Sequence, residues 1–413
     1  MSQSTFARRL LLPLNPLYRL ALAVRELRLA LAPEPVRRLR NPVISVGNLS
    51  TGGAGKTPLT IALAKALKER GVRVDVLSRG YGRQSQQAAR VDPDGSAEEF
   101  GDEPLVIAWE ADVPVYVAPE RYDAGMLAEG DAASEQPVSN PELETPEWSS
   151  LGWEEETPAS EPGSALVRVK SSLALKGFRS GDEPADAAQD GSASSEQPQA
   201  DEASSAMEPD AAEPPLSVHL LDDGFQHRQL ARDVDILLLN QQDWSDWLLP
   251  AGNLREPRDA ARRATVLAIP ANEPELEVAL GVWGWTGPLW RLHRKMEIPH
   301  ARGPVAAFCG IARPEQFFAG LETLGLEVRL QLAFPDHFTY TREVLEELLM
   351  KARAAEVTAI LTTMKDLVRL GELADLFPRS MPLAAARLRI VIDEEQSALD
   401  WLIERLKPVD SPI

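Results

Sequence analysis

The chain has 413 residues, enough for two domains with substantial cores, and its 44% hydrophobic and 26% charged content is ordinary for a soluble α/β protein. A single cysteine, Cys309, excludes an internal disulfide framework, and five histidines without cysteine partners argue against a structural zinc site. The net charge of −20 is uneven, because residues 129–215 carry −16 and the first forty residues carry +6.

Residues 1–40 combine leucine and alanine with regularly spaced arginine, and we expect a membrane-associating segment there. Pro13 and Pro16 interrupt its start, so a continuous helix is predicted from about Leu17 to Leu31. The arginines break any apolar run long enough to span a bilayer, and Asn15 and Arg19 spoil a secretory signal. An amphipathic helix on an anionic membrane is the preferred interpretation, and a helix packed on the protein's own core is the open alternative.

A glycine-rich loop follows in the stretch NPVISVGNLSTGGAGKTPLT, residues 41–60. An apolar run precedes it and a helical pattern follows it, which is the context of a P-loop. Its glycines let backbone N–H groups converge on phosphate oxygens, its lysine can reach the β- and γ-phosphates, and its threonine can bind Mg²⁺. The strict pattern has glycine where this chain has serine at position 50. The predicted nucleotide-binding residues are Ser50, Thr51, Gly52, Gly53, Ala54, Gly55, Lys56 and Thr57, of which Thr57 is also a predicted metal ligand.

The next elements alternate between strand and helix. VRVDVLSRGYGR predicts a strand that leads into a polar loop, and residues 100–130 predict a helix, a strand at VPVYVA and a further helix. From about 131 to 215 the sequence is rich in Ser, Ala, Glu and Pro and loses hydrophobic periodicity. We predict that residues 131–215 are an acidic, largely disordered insertion, because they cannot bury enough apolar surface to offset their ordering entropy.

Two acidic residues end the strand-like run that follows the insertion, in LLDDGFQH. Asp222 and Asp223 stand where a carboxylate beside the phosphate loop can hold Mg²⁺ directly or through water. A β-turn selected for Asp-Asp-Gly turn chemistry is the alternative. The sequence favours the metal site.

The remaining chain predicts a second alternation of strands and helices. Its strands are PVAAFCGI, EVRLQLAF, TAILTT and LRIVID, and its helices are PEQFFAGLETLG, TREVLEELLMKARAAE and EQSALDWLIERL. The predicted fold is α/β: a P-loop NTPase-like, mostly parallel sheet with helices on both faces, and a second, smaller α/β domain. The predicted divisions are the N-terminal segment 1–40, a P-loop kinase domain 41–290 that contains the insertion, and a C-terminal domain 300–413.

Seven motifs in order, GNLSTGGAGKTP, LSRGYGR, GDEP, DDGFQHR, LPAGNLREP, FPDHFTY and TTMKD, resemble the tetraacyldisaccharide 4′-kinase family of lipid A synthesis. The resemblance spans nearly the whole chain except the insertion. It implies a P-loop kinase, peripheral at the cytoplasmic face of the bacterial inner membrane, that uses ATP and Mg²⁺. It also implies phosphoryl transfer to the 4′-hydroxyl of a lipid disaccharide 1-phosphate, with no nucleic-acid partner.

The same resemblance implies roles for individual residues. Asp102 resembles the catalytic base, Glu103 a carboxylate near the metal, and His337 the partner that pairs with Asp102. Lys56 and Mg²⁺ would neutralise charge on the transferring group. The sequence leaves two alternatives open, namely that Asp102 caps a helix and that His337 is a loop histidine satisfied within the fold. Because Asp102 and His337 lie in different predicted domains, the active site is expected in the cleft between those domains.

The candidate substrate-binding residues are Arg79, Tyr81, Arg83 and Arg255, with loop shaping and a surface salt bridge as alternative roles. The chain departs from the family pattern at Asn253, where proline is usual, and at Met364, where glutamate is usual. Acyl-chain number, oligomeric state and any effect of Met364 on nucleotide preference do not follow from the sequence.

Two other functions stay open beside the lipid kinase. One is a P-loop kinase for another amphipathic or sugar acceptor. The other is a membrane-recruited ATPase switch, which would not need Asp102 and His337 to meet. Hydrogen-bond reach between these two side chains would favour a kinase.

Overall fold

The computed structural model describes residues 10–31, 35–53, 55–134, 215–299 and 303–407. Twelve strands lie in these ranges: β1 (Val43–Asn48), β2 (Arg73–Ser78), β3 (Ala89–Arg90), β4 (Val115–Val117), β5 (Ser217–Asp222), β6 (Val234–Leu238), β7 (Val266–Pro270), β8 (Leu289–Glu297), β9 (Val305–Cys309), β10 (Val328–Ala333), β11 (Ala359–Thr363) and β12 (Leu383–Ile392).

The α-helices of the same ranges are α1 (Asn15–Leu31), α2 (Lys56–Glu69), α3 (Ala97–Phe100), α4 (Asp102–Ala111), α5 (Arg121–Ser134), α6 (Gln241–Trp244), α7 (Pro274–Trp283), α8 (Pro314–Thr323), α9 (Arg342–Ala354), α10 (Met364–Leu370) and α11 (Glu395–Leu406). Short 3₁₀ helices cover Leu12–Leu14, Arg258–Arg263 and Gly371–Leu376.

The strands form one sheet in the order β10-β9-β11-β12-β8-β7-β6-β1-β5-β2-β4-β3. All neighbouring pairs are parallel except β12 with β8 and β3 with β4. Alternate residues of β6 enter different cores: Ile236 packs in the cluster beneath α2 and α4, and Leu237 packs in a cluster on the opposite face. The predicted α/β fold with a mostly parallel sheet and helices on both faces is therefore confirmed.

The C-terminal half of the sheet has its own pair of cores, around Phe308 on one face and Phe317 on the other. The four strands and three helices predicted there are all present. Strand β12 begins at Leu383, five residues before the predicted LRIVID run, and its length lets it pair with both β11 and β8. The division into domains 41–290 and 300–413 stays a prediction.

Several elements were not predicted from the sequence, among them β3, β7, β8, α3, α6, α7 and α10. Strand β8 reads LWRLHRKME, and its many charged and imidazole side chains hide the usual strand signal. The strand is held by β7 on one side and β12 on the other. It joins the phosphate-loop half of the sheet to the C-terminal half.

The predicted N-terminal helix is present as α1 and has two different faces. On one face Tyr18 and Leu22 pack against the protein, and the Tyr18 hydroxyl donates to a backbone carbonyl 3.0 Å away. On the opposite face Leu17, Leu20 and Leu27 are all more than half exposed. The helix therefore packs on the protein along one face, and contact of the other face with a membrane stays a prediction. No described helix is both long enough and apolar enough to cross a membrane.

The predicted insertion starts too early at residue 131, because α5 continues to Ser134. Asp131 itself is ordered in that helix, where its carboxylate accepts a hydrogen bond from the Tyr116 hydroxyl at 3.1 Å. Residues 135–214, and with them nearly all of the predicted insertion, lie outside the described residues.

Candidate active site

The phosphate loop connects the buried strand β1 to the N-terminus of α2. Gly52, Gly53 and Gly55 have φ values of 72°, 66° and 90°, in the left-handed region where glycine is favoured. Gly55 is the N-cap of α2, so the loop leads directly to the positive end of a helix. Ala54 lies outside the described residues. The backbone geometry matches the predicted phosphate cradle.

Ser50, which replaces the expected glycine, is buried and has a structural partner. Its hydroxyl donates to Asp243 Oδ2 at 2.7 Å and accepts from the Asn48 side-chain amide at 2.9 Å. The Thr51 N–H donates to the carbonyl of Asn253 at 2.8 Å. These bonds anchor the start of the loop from outside, so glycine is not needed at position 50.

Lys56 points back over the loop toward two oxygen atoms. Its Nζ lies 3.1 Å from Asn48 Oδ1 and 3.5 Å from Asp223 Oδ1. The side chain is mostly buried, with 13% exposure. In this position the ammonium group stands where charge would develop on a phosphate held by the loop.

Asp222 ends β5, beside β1 in the parallel sheet, and faces the helix that carries Thr57. The hydroxyls of Thr57 and Thr60 lie 3.4 Å and 3.2 Å from its two carboxylate oxygens. Burial, and after it the nearby charge of Glu103, raises the pKa of Asp222 to about 7. A bound cation would relieve this unfavourable burial of negative charge.

The residues present fit Mg²⁺, which prefers oxygen ligands and keeps several positions for water and phosphate oxygens. Thr57 and Asp222 are the side chains that would hold the ion, with Glu103 close by. Within the described ranges no group of three or more His, Cys, Asp or Glu side chains forms a metal cluster.

Asp223 makes different contacts from its neighbour. It has a φ of 52° and accepts from Arg255 at 2.9 Å and 3.1 Å. Burial opposes its ionisation, but Lys56 and Arg255 outweigh burial and lower the pKa of Asp223. A turn follows, in which the His227 N–H donates to the Gly224 carbonyl at 2.9 Å. The turn and the acidic site thus coexist, and Asp223 positions Lys56 and Arg255.

Asp102 is the first residue of α4, and the helix is N-capped by Gly101. The capping alternative therefore does not describe Asp102, whose Oδ1 accepts, within the described ranges, only from the adjacent Glu103 N–H at 2.9 Å. Its Oδ2 lies 3.2 Å from His337 Nδ1 and is paired with Arg369. Burial opposes ionisation, but the hydrogen bond to His337 and the charges of Lys365 and Arg369 lower the pKa of Asp102.

His337 occupies a loop of the C-terminal half and has a φ of 58°. Its hydrogen bond to Asp102 raises its pKa, and burial opposes that shift. The ring centroid of Tyr81 lies 5.3 Å away. The structure thus brings together three side chains that are distant in sequence, and Asp102 and His337 are within hydrogen-bond reach.

Two cations in this cluster were missed by sequence reasoning, Lys365 and Arg369. Lys365 forms a close ion pair with Glu103. Arg369 contacts Asp102 through both Nε and Nη2, and it also donates to the carbonyl of Gly310 at 2.6 Å. The spacing of Lys365, Asp366 and Arg369 on one helical turn was the available signal.

The four candidate substrate residues differ in exposure and in hydrogen-bond partners. Tyr81 is 67% exposed, whereas Arg83 is buried and its two terminal nitrogens have no hydrogen-bond partner among the described residues. Arg79 is exposed, and its charge helps to lower the pKa of His227, after burial and Arg121. Arg255 is partly buried, and its guanidinium group is held by Asp223 and Asn48.

The two departures from the family pattern are accommodated locally. The amide of Asn253 donates to Asp246 Oδ2 at 2.9 Å, which fixes the loop before Arg255. Met364 is buried at the first position of α10, whose N-cap is Thr363. Met364 is therefore a packing residue in this chain.

The family model described as tetraacyldisaccharide-1-P 4′-kinase matches residues 7–136 and 162–407. A tetraacyldisaccharide 4′-kinase of Koribacter versatilis is 34% identical over 95% of this chain and 97% of its own length. The Aquifex aeolicus tetraacyldisaccharide 4′-kinase is 31% identical over 90% of both chains.

A solved structure is also similar, the apo form of LpxK from Aquifex aeolicus in complex with ATP. It aligns with a TM-score of 0.60 and 28% identity over 97% of this chain and 99% of its own. Matches of this length cover the phosphate loop, both carboxylate pairs and the histidine loop. This chain belongs to the tetraacyldisaccharide 4′-kinase family.

Proposed function

We propose that this chain transfers the γ-phosphoryl group of ATP to the 4′-hydroxyl of a tetraacyldisaccharide 1-phosphate, using the residues at the carboxyl edge of the sheet. Family membership supports the reaction. The observation that carries the residue assignment is the 3.2 Å contact between Asp102 Oδ2 and His337 Nδ1, across residues 235 apart in sequence, beside the phosphate loop. An ATPase switch without an acceptor has no use for that contact.

Asp102 acts as the proton acceptor in this proposal. Its lowered pKa keeps it ionised at neutral pH, and a loose phosphoryl-transfer transition state needs the hydroxyl proton removed only late. His337 orients the carboxylate and shares its charge, while Arg369 fixes the carboxylate from the opposite direction. The acceptor hydroxyl would approach the Asp102 carboxylate in the cleft between the two predicted domains.

Lys56 stabilises the negative charge of the transferring group, and Asp223 with Asn48 holds the ammonium in place beforehand. Bound between Thr57 and Asp222, Mg²⁺ would supply charge neutralisation to the phosphate oxygens. Arg255 is held next to Lys56 by the same Asp223 carboxylate, which makes it a second cation for the phosphate groups.

Positive charge also gathers beyond the catalytic carboxylates. Burial is the largest cause of the lowered pKa of His227, about 4, and the charges of Arg121, Arg232 and Arg79 add to it, so three cations stand around this imidazole. Arg83 adds a further cation, and its two terminal nitrogens have no hydrogen-bond partner among the described residues. This surface suits the 1-phosphate of the acceptor, with Tyr81 beside His337 as a wall for the sugar.

The acyl chains would meet the apolar side of the molecule. Leu17, Leu20 and Leu27 of α1 face outward. A cavity of about 730 Å³ lies beside α1 and is lined in part by Leu12, Trp244, Trp247 and Trp283. Arg19 stands at the same cavity. Such a combination of exposed leucine, tryptophan and arginine is suited to an anionic membrane surface, and we place the enzyme peripherally at the cytoplasmic face of the inner membrane.

Phosphoryl transfer from γ-labelled ATP to a detergent-dispersed tetraacyldisaccharide 1-phosphate tests the reaction. Asp102→Ala is expected to lower lipid labelling by roughly 10²- to 10⁴-fold with ATP binding retained. The exposed Asp94→Ala is the matched control and should label lipid like the unmodified chain. Labelling that survives in Asp102→Ala would discard the base, and absence of labelling in folded, ATP-binding protein would discard the acceptor.

Sedimentation with phosphatidylglycerol vesicles tests the membrane contact. Each exposed leucine of α1 contributes on the order of 1.5 kcal/mol when it enters the lipid, so Leu20→Gln with Leu27→Gln should reduce binding at least about tenfold. Leu324→Gln changes a leucine that is 45% exposed at the end of α8 and should bind normally. Equal binding by both variants would remove α1 from the membrane contact.

A further inference from the structure

The TTMKD motif at the junction of β11 and α10 ends in a buried carboxylate, Asp366, that touches none of the reacting groups of the proposed mechanism. Its Oδ1 accepts from the Gly310 N–H and the Tyr340 hydroxyl, both at 2.9 Å, and from Arg369 Nη1 at 3.2 Å. Its Oδ2 accepts from the Thr363 hydroxyl at 2.6 Å. A carboxylate at this depth is stable only among donors, and these donors join three separate segments of the C-terminal half.

Two of the donors hold the histidine loop, the segment between β10 and α9 that carries His337. Gly310 contacts Asp366 through its N–H, and its carbonyl accepts from the His337 N–H at 3.3 Å. Tyr340 lies three residues after His337. Burial and the charge of Asp366 raise the pKa of Tyr340, so its hydroxyl keeps its proton and remains a donor. Asp366 therefore holds the loop both at His337 and beyond it.

The third donor connects Asp366 to the other member of the reacting pair. Arg369 lies one turn after Asp366 on α10, and its side chain is only 7% exposed. Its Nη1 donates to Asp366 and to the Gly310 carbonyl, while its Nε donates to Asp102 Oδ2 at 2.8 Å. A guanidinium group is a rigid planar fork, so fixing Nη1 also fixes the direction of Nε and Nη2. Asp366 thereby directs Arg369 at Asp102.

Arg369 and His337 meet at a single oxygen atom, Oδ2 of Asp102. Arginine has no acceptor atom, so the 3.4 Å approach of Arg369 Nη2 to His337 Nδ1 leaves both side chains directed at the carboxylate. The Glu103 N–H holds the other oxygen, Oδ1. The plane of the Asp102 carboxylate, and with it the direction from which an acceptor hydroxyl can approach, therefore depends on groups that Asp366 holds.

We propose that Asp366 is a positioning residue for phosphoryl transfer, which holds Asp102 and His337 in the geometry in which the carboxylate takes the acceptor proton. It acts on His337 through the histidine loop and on Asp102 through Arg369. The inference rests on the proposed function, in which these two side chains are the reacting pair. A displacement of about 1 Å at a reacting group can cost about 10²-fold in rate, so a hub that fixes both members affects turnover directly. A network that only stabilised the fold would leave the rate of each folded molecule unchanged.

Steady-state phosphorylation of the detergent-dispersed tetraacyldisaccharide 1-phosphate by the full chain tests the proposal, with rates expressed per ATP-binding molecule so that unfolded chain does not contribute. Asp366→Asn keeps the size of the side chain and removes its charge. It should lower kcat at least about tenfold and leave the KM for ATP within about twofold. Tyr340→Phe removes one donor and should lower kcat about three- to tenfold. Tyr116→Phe is the matched control, because this buried hydroxyl also donates to a carboxylate, that of Asp131 on α5, and should leave kcat unchanged.

The effect of Asp366 should disappear when its target is absent. In a chain that already carries Asp102→Ala, adding Asp366→Asn should lower the residual rate less than about twofold, because the carboxylate that Arg369 fixes is gone. Equal fold losses with and without the Asp102 carboxylate would mean that Asp366 acts independently of the pair, and the proposal would be overturned.

A second readout needs no acceptor. The imidazole nitrogen signals of His337, in the full chain labelled with isotopic histidine and identified by their loss in His337→Gln, report its contact with Asp102. Asp366→Asn and Tyr340→Phe should shift these signals, and Tyr116→Phe should not. If the unmodified chain phosphorylates no lipid, the proposed function fails. Shifted His337 signals would then still support the positioning of the pair, and unshifted signals would overturn it as well.

The kinetics overturn the proposal if Asp366→Asn binds ATP and keeps the kcat of the unmodified chain. They also overturn it if Tyr340→Phe and Tyr116→Phe lose the same fraction of kcat, because the loss would then be common to any buried tyrosine hydroxyl. Should Asp366→Asn fail to fold, the comparison of the two tyrosine variants decides alone.

Discussion

Replacement of Arg369 by glutamine should destabilise the fold through the charge left behind on Asp102. The Arg369 side chain is 7% exposed and the Asp102 side chain is 5% exposed, so water compensates little for a lost partner. Removing one member of a buried ion pair costs about 3–5 kcal/mol. Arg369 additionally supports the Gly310 carbonyl and the Asp366 carboxylate.

The neighbouring contacts set the expected value near the lower end of that range, about 3 kcal/mol. Asp366 keeps the Tyr340 hydroxyl and the Gly310 N–H as donors, both at 2.9 Å. Asp102 keeps the Glu103 N–H and His337. Only part of the buried charge therefore becomes uncompensated.

A double-mutant cycle of Arg369→Gln with Asp102→Asn, followed by urea unfolding, measures the effect. The second change removes the stranded charge, so the double variant should recover part of the loss, with a coupling of about 1–3 kcal/mol. Arg353→Gln, at an exposed position of α9, is the matched control and should stay within about 0.5 kcal/mol. A loss below about 1 kcal/mol for Arg369→Gln, or strict additivity, would refute the reasoning.

Two further changes probe packing and ionisation. Gly47 lies in the buried strand β1, and a Cβ added there would stand only 2.4 Å from the Phe225 Cβ. Gly47→Ala should therefore lower the free energy of unfolding by about 1–3 kcal/mol. Gly130→Ala, where an added Cβ meets nothing within 4 Å, is the control and should leave it unchanged. Pairing with Asp102 raises the pKa of His337. The protonated His337 therefore stabilises the fold fully below its unfolded-state pKa of about 6.5, and this stabilisation is lost as the pH rises through its folded-state pKa. The melting temperatures of the unmodified chain and His337→Gln should therefore differ more near pH 6 than near pH 9, and a gap that widens with pH would contradict this pairing.

Local sequence was sufficient for the phosphate loop. Strand β1, the three glycines and Lys56 are contiguous, so one stretch carries both the backbone geometry and the chemistry. The pairing of Asp102 with His337 came from the family resemblance. Residue chemistry alone left both side chains with structural alternatives.

The partners of Asp102 depend on tertiary packing that no local pattern encodes. Arg369 meets Asp102 across 267 residues, and Lys365 meets Glu103 across 262. Strand β8 was missed because Arg291 and Lys295 hide a strand that is held by its two neighbours.

The attachment points of residues 135–214 have an evolutionary consequence. Helix α5 reaches the amino edge of the sheet, where the Glu129 carboxylate accepts from the backbone N–H groups of Arg40 at 2.6 Å and Asn41 at 3.1 Å, and β5 begins at Ser217 on that same edge. The phosphate loop, Asp102 and Asp222 occupy the opposite edge. Lineages can therefore lengthen, shorten or recompose this crossover under selection that is separate from selection on catalysis, so sequence here can diverge while the reaction is retained.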